Sequence, residues 1–333
     1  MKTIASSFFL LISAILVSPY LYAQFPPPAG RPGSTAIHMD SSILIGWASD
    51  CEIVRGYINM ADTTITYNEV NKATYGSYLY GSGPADGLVI SLGDYGTALL
   101  VFDIPVINGP GPDFAVFENS FGDSFLELGF VDVSSDGIRY VRFPSISLTA
   151  ENTQVGTFDT IDATKIHNLA GKYRMGYGTP FDLDDLIDST GIDLNHITHI
   201  RISDAGGCIV PPFTTMDSQG HIINDPWPTP FDTGGFDFDA IGVIHNTTEG
   251  YAEGSPFGAI KFYPNPVKDK IIFESKASVK IRLKITDIFG KLLLDFEIAG
   301  KAELDLSSFP AGVYMANCTF QDGSSITKKI IKY

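Results

Sequence analysis

The chain has 333 residues, 44% of them hydrophobic and 18% charged, with a formal net charge of −16. So apolar a chain is not disordered, and the length suits about two domains. The charge is uneven: residues 261–333 hold twelve Lys/Arg against eight Asp/Glu, a net of +4, which leaves −20 on the rest. The acidic part lacks the cationic surface that nucleic-acid phosphates require, so nucleic acid is excluded as a partner. Its charge suits cation binding or plain solubility.

At the amino terminus, Lys2 precedes an apolar run from Phe8 to Val17, and Leu21-Tyr22-Ala23 ends on a small residue. This is the layout of a signal peptide over residues 1–23, with Gln24 as the mature start. A buried first strand is the alternative for the same run. The run is too short to cross a bilayer, and the sequence offers no other transmembrane segment. No cysteine follows it to carry a lipid anchor. Residues 24–35 form a Pro/Gly lead-in.

Residues 36–246 read as one β-rich module, with 23 Phe and 15 Tyr in the whole chain. Strands are expected over 88–92, 98–104 (stopped by Pro105), 114–118, 126–134, 140–143, 197–203 and 236–244. Turn clusters separate them, such as Asn108-Gly109-Pro110-Gly111-Pro112 and Ser135-Asp136-Gly137. A short helix is expected over 181–186 with Asp182 as its cap. Many short, closely spaced strands predict a β-sandwich, most simply a jelly roll. Of the three cysteines, Cys51 and Cys208 lie in this module and are the one pair placed to form a disulfide, and Cys318 is left over.

Candidate chemistry in this module rests on carboxylates. Asp237 and Asp239 stand at i, i+2 on one strand and share a face, while Phe236 and Phe238 face the core. Two such acids repel unless a donor or a cation lies between them. Asp237 and Asp239, with Glu118 or Asp113 beside them, are therefore the expected ligands of a structural calcium, with a solvated face or backbone amides as the alternative. Glu118, Glu127 and Asp132 supply carboxylates for a glycosidase pair, but sequence does not fix their separation. There is no Gly-x-Ser-x-Gly elbow. His196 and His199 lie by a strand, where ordinary polar roles are commoner than metal binding. Trp227, bracketed by prolines, either stacks on a sugar ring or covers the end of the sandwich.

Residues 247–260 read as a linker, and 261–333 as a second small sandwich. Tyr263-Pro264-Asn265-Pro266 opens it with two residues that cannot donate to a ladder. Asp287 to Lys291 turns at Gly290, Leu304-Asp305-Leu306 leads to Phe309-Pro310-Ala311-Gly312-Val313-Tyr314, and Lys328-Lys329-Ile330-Ile331-Lys332-Tyr333 ends the chain. These four motifs, in this order, resemble the type A sorting domain of the type IX secretion system of Bacteroidetes, with Phe309 where leucine is usual. The resemblance assigns Tyr263, Pro264, Asn265, Pro266, Gly290, Pro310, Gly312, Tyr314, Lys328 and Lys329 to the sorting motif. It implies export through Sec, recognition by an outer-membrane translocon, and removal of the tail by a sorting peptidase. The protein would then stay on the cell surface or be released.

Residues 45–245 resemble a family of bacterial cell-surface proteins with no settled activity. The likeness rests on Asn108 to Asn119, Ser134 to Gly137, Ile192 to Arg201, Asp225 to Phe231 and Gly234 to Val243. It assigns no catalytic residue. The expected fold is all-β: a jelly-roll-like sandwich followed by a small Ig-like antiparallel sandwich. The expected function is an exported module that binds an extracellular glycan or surface partner, with catalysis not expected. A secreted polysaccharide hydrolase and a structural surface-layer component are the alternatives, and fold alone does not separate the three.

Overall fold

The computed structural model describes residues 25–246, 260–275, 280–287, 290–319 and 325–333. The expected signal peptide and most of the expected linker lie outside them. No described helix is long and apolar enough to cross a membrane.

The central module is built from β1 (Ile37–His38), β2 (Gly46–Trp47), β3 (Asp50–Val54), β4 (Ile90–Ser91), β5 (Thr97–Val106), β6 (Phe114–Glu118), β7 (Gly129–Ser134), β8 (Val141–Arg142), β9 (Ile146–Ser147), β10 (Ile166–His167), β11 (Tyr177–Phe181), β12 (Ile197–Asp204) and β13 (Asp237–Val243). One sheet runs β1-β11-β6-β13-β2, with β4 also on β13, and the other runs β3-β5-β12-β7-β8. Every pairing is antiparallel. In chain order β5, β6, β7, β11, β12 and β13 alternate between the two sheets, while β3 precedes β5 in the same sheet. The two inner faces share one core, with Phe114, Phe143 and Phe181 packed at ring separations of 5.1–5.8 Å.

Several elements depart from the sequence expectation for physical reasons. Strand β5 runs through Pro105 to Val106, because the ladder shifts register there and spares the missing donor. The same bulge breaks the expected alternation in β12, where Ile197 is buried along with Ile200 and Ile202. The segment 126–128 precedes β7 rather than belonging to it. The expected short helix is a 3₁₀ turn over Leu183–Leu186, and Asp182 caps it by accepting from the Asp184 amide. No disulfide joins Cys51 to Cys208. Cys51 packs beneath the Tyr78–Gly81 turn and Cys208 sits in the loop after β12, and all three thiols are free and buried.

The tail comprises β14 (Ile260–Tyr263), β15 (Lys270–Ser275), β16 (Ile281–Asp287), β17 (Leu292–Ile298), β18 (Lys301–Asp305), β19 (Gly312–Thr319) and β20 (Ser325–Lys332). A three-stranded sheet, β14-β15-β18, faces a four-stranded one, β17-β16-β19-β20. They enclose a separate core that includes Phe273, Leu283, Leu304, Leu306 and Tyr314.

Candidate functional site

At one end of the central sandwich, six carboxylates leave water together. Asp94, Glu118, Glu127, Asp204, Asp225 and Asp237 are all buried. Three of them hold loops by accepting backbone amides. Asp204, the last residue of β12, takes Tyr95 N–H at 2.9 Å, Gly206 N–H at 2.8 Å and Phe236 N–H at 2.9 Å. Asp94 takes Met60 N–H at 2.8 Å, and Asp225 takes Leu128 N–H at 2.9 Å. Gly207 permits this approach, since a Cβ on it would stand 1.7 Å from Asp225 Oδ1. Burial pushes Asp204 up to about 7 and Asp94 to about 6, and it raises Asp225 well above the usual carboxylate range, as do Asp204 and Asp94 beside it.

Of the other three, Asp237 and Glu118 each accept from a serine. Asp237 opens β13, accepts from Ser91 Oγ, and is raised to about 6 by burial although Arg55 lies nearby. Glu118 closes β6. Its Oε2 accepts from Ser120, but its buried Oε1 has no partner. Glu127 is raised well above its ordinary value by burial and then by Asp237, Glu118, Asp225 and Asp204, every one of them another acid. No donor reaches Glu127 among the described residues.

Of the residues expected at a calcium site, Asp113 and Glu118 lie at opposite ends of one strand. Asp113 immediately precedes β6 and Glu118 closes it, roughly 16 Å apart at the rise of a strand. Asp113 is already bonded to Gly109 N–H and Leu183 N–H at 2.7 Å each and to His245 Nδ1 at 2.8 Å. Asp239 accepts from the Asp86 and Gly87 amides, both at 3.2 Å. Its repulsion from Asp237 is thus met by backbone donors, the alternative weighed for this face. Among the described residues no three acids, histidines or cysteines stand in a ready ion cage. Asp132 is paired with Arg142 at 2.8 Å and Arg201 at 3.2 Å, which removes it from any catalytic carboxylate pair. Trp227 is half-buried, and its indole N–H donates to Asp94 Oδ2 at 3.2 Å, so it is fixed against the acidic end of the sandwich.

The raised carboxyls have a consequence for stability. Each binds its proton more tightly folded than unfolded, so its contribution is full below about pH 4 and is lost as pH rises through its folded value. For Asp94, Asp237 and Asp204 the window is about 4 to 7. In metal-free buffer the chain should therefore melt at a higher temperature at pH 5 than at pH 8. A melting temperature that rises steadily from pH 5 to pH 8 would refute this.

Sequence reading missed a pocket near the Asp113 end of β6. A cavity of about 370 Å³ opens between Phe25, Pro26, Ile37, Pro112, Tyr173 and Pro180. The Phe25 ring stacks on His167 at 5.0 Å, and Phe25 N–H bonds to Thr164 O at 3.1 Å, so the lead-in forms a wall. Lys172 also lines the pocket. Its Nζ donates to Ile166 O at 2.7 Å and lies 5.5 Å from the Tyr173 ring, and burial lowers it to about 8. The Thr179 hydroxyl, buried at the pocket, has no partner. The signal available in sequence was Phe25 itself, an aromatic residue ahead of a proline run that otherwise reads as a spacer.

In the tail, the motif residues tie the first and last strands together. Asn265 Nδ2 donates to Lys329 O and Asn265 Oδ1 accepts from Ile331 N–H, both at 2.8 Å. Its flanking prolines leave this role to the asparagine. Gly290 takes φ of +81°, which a glycine adopts freely, and its N–H bonds to Asp287 O at 3.0 Å. Tyr314 OH donates to Pro310 O at 2.6 Å, and Phe309 packs on the Tyr314 ring at 5.2 Å. Tyr263 OH bonds to Glu274, and Gly312 pairs with Lys332. Lys328 bonds to Asp103 of the central module, and Lys329 Nζ lies 4.0 Å from Asp50.

Of the comparisons with known proteins, a family model matches the tail. No curated protein matches the chain. Among solved structures, a DUF3244-family protein with an immunoglobulin-like β-sandwich from Bacteroides vulgatus is 16% identical, covering 22% of this chain and 84% of its own, with a TM-score of 0.21. A β-1,2-glucanase from Parabacteroides distasonis is 9% identical over 88% of this chain and 38% of its own, with a TM-score of 0.28. A β-glucuronidase from Ruminococcus gnavus is 11% identical over 72% and 36%, with a TM-score of 0.21. The chain thus spans less than two fifths of the length of these two enzymes. Residues 261–333 match the family described as the secretion system C-terminal sorting domain. Together with the four motifs and the separate core, this match makes residues 261–333 a type IX C-terminal sorting domain.

Proposed function

We propose that this chain is an extracellular binding protein whose tail is read by the type IX translocon and cut by its sorting peptidase. The sorting domain supports export to the cell surface or the extracellular space. In this reading residues 1–23 enter the Sec route, and residues 36–246 form a jelly-roll-like module that binds a ligand in the pocket beside Phe25. The observation that carries the binding reading is a cavity of about 370 Å³ walled by the aromatic and proline faces of Phe25, Pro26, Pro112, Tyr173 and Pro180. Binding pockets place a few polar groups among apolar walls in this way. Aromatic and proline faces with a hydroxyl, Asn168 and Asp185 suit a sugar ring.

The test is thermal melting against a glycan panel, read together with reducing-end release. A binding module is stabilised by at least one glycan without turnover. Thr179→Val keeps the fold and weakens that glycan by about tenfold, the worth of one hydrogen bond. A panel that never shifts the melt would overturn the reading. A second reading, a polysaccharide hydrolase, is favoured by one observation: burial holds Glu118 and Glu127 in the proton-carrying form a general acid needs. It predicts reducing-end release that disappears in Glu127→Gln.

A further inference from the structure

We propose that the pocket beside Phe25 takes an acidic sugar, a uronic acid residue of a glycan, with Lys172 holding its carboxylate. This rests on the glycan reading above and adds the class of sugar to it.

Among the described residues that line the cavity, Lys172 is the only lysine or arginine, and it is 4% exposed. An ammonium carries three N–H donors. One of them goes to Ile166 O at 2.7 Å. Nζ also lies 5.9 Å from the Phe25 ring and 5.5 Å from the Tyr173 ring. Ring faces attract a cation but do not replace an oxygen acceptor. Among the described residues Lys172 forms no ion pair. A buried charge is costly until it is paired, so the pocket has an unmet call for an anion. The acids on the same wall are committed to other donors. Asp185 Oδ2 accepts from Asn168 Nδ2 at 2.7 Å, and Asp182 accepts from the Asp184 amide at 3.0 Å. Each keeps a second oxygen that can accept a sugar hydroxyl. Phe25, Tyr173 and the prolines suit the apolar face of a sugar ring. A uronic acid supplies all three features: a ring face, hydroxyls and one carboxylate. A neutral hexose leaves the ammonium unpaired, and a free carboxylate such as acetate leaves the walls uncovered.

Burial lowers Lys172 to about 8, with Asp162 acting against it. His167, Asp182 and Asp185 are the other titratable groups at the pocket, and burial holds His167 below its usual value. Lys172 in the empty pocket loses its proton as pH rises through about 8, whereas a bound carboxylate retains it. Affinity for the acid should therefore fall about tenfold from pH 7 to pH 9, with proton uptake on binding above pH 8. Titration calorimetry of the full chain tests this with galacturonic and glucuronic acid oligosaccharides, their methyl esters, neutral and sulfated oligosaccharides, and sodium acetate. At pH 7 at least one uronide should bind about tenfold or more tighter than its own methyl ester, the worth of a hydrogen bond to a charged group. Lys172→Met keeps the length of the side chain and should erase the difference between acid and ester. The comparison of acid with ester and the pH profile are both read on the wild type, so they stand even if this variant folds poorly. If glycans bind but esters bind as tightly as acids, the proposal fails and the binding reading stands. The same holds if a sulfated glycan or acetate binds as tightly as any uronide. If no glycan of any charge binds, both fail. A preference for acids that survives in Lys172→Met would overturn the role of that lysine.

Discussion

Removing residues 261–333 should abolish delivery outside the cell while leaving the central module folded. The tail has its own two sheets and its own core, so its loss takes no side chain from the core of the central sandwich. The contacts given up, such as Lys328 with Asp103, are surface ion pairs worth about 0–1 kcal/mol. The expected result is extracellular protein at background, with the truncated chain retained in the cell fraction and still protease-resistant. Asn265→Ala should give an intermediate export defect. It removes both hydrogen bonds that pin Lys329 and Ile331 to the entry segment, yet leaves the sheet ladders intact. Fractionation and immunoblotting check both, and undiminished delivery of the truncated chain would refute the assignment of the tail.

Asp204→Ala should destabilise the central module by roughly 3–5 kcal/mol, because three buried amides lose their acceptor at once. Those amides belong to Tyr95, Gly206 and Phe236, so one carboxylate ties the turn before β5, the end of β12 and the entry to β13. Relief of repulsion with Asp94 offsets part of the loss but does not replace three donors' partner. Asp204→Asn keeps one acceptor oxygen and should cost less than half as much. Calorimetry of the full chain reads the difference, and an unchanged melting transition in Asp204→Ala would remove the anchoring role.

The sequence was most readable where local pattern and local chemistry coincide. The tail motifs combine a proline-bracketed asparagine, a glycine turn and an aromatic plug, each needed at a fixed chain position. In the central module, strands of continuous or alternating apolar residues appeared where expected, as at Phe114–Glu118. Two-residue strands such as Ile37–His38 and Gly46–Trp47 had no period to read and form through long-range pairing with β11 and β13. The carboxylate band was half legible. Glu118, Glu127 and Asp237 were picked out in sequence, but Asp204 and Asp225 join them only through long-range folding of the chain. Asp113 and Glu118 flank the same strand in sequence, and the structure sets them at its two ends, Asp113 bonded to Gly109, Leu183 and His245. The pocket needs the lead-in to fold back on residues far along the chain, which no local pattern announces.

The three sulfhydryls set the terms on which this protein meets the outside of a cell. Burial pushes Cys51 and Cys318 to about 12 and raises Cys208 as well, so none offers appreciable thiolate at neutral pH. Maturation therefore needs no thiol oxidase, and the finished molecule gives electrophiles and glutathione adducts nothing to attack. The packing and hydrogen bonds that hold the described fold thus include no sulfur cross-link for a reductant to cut.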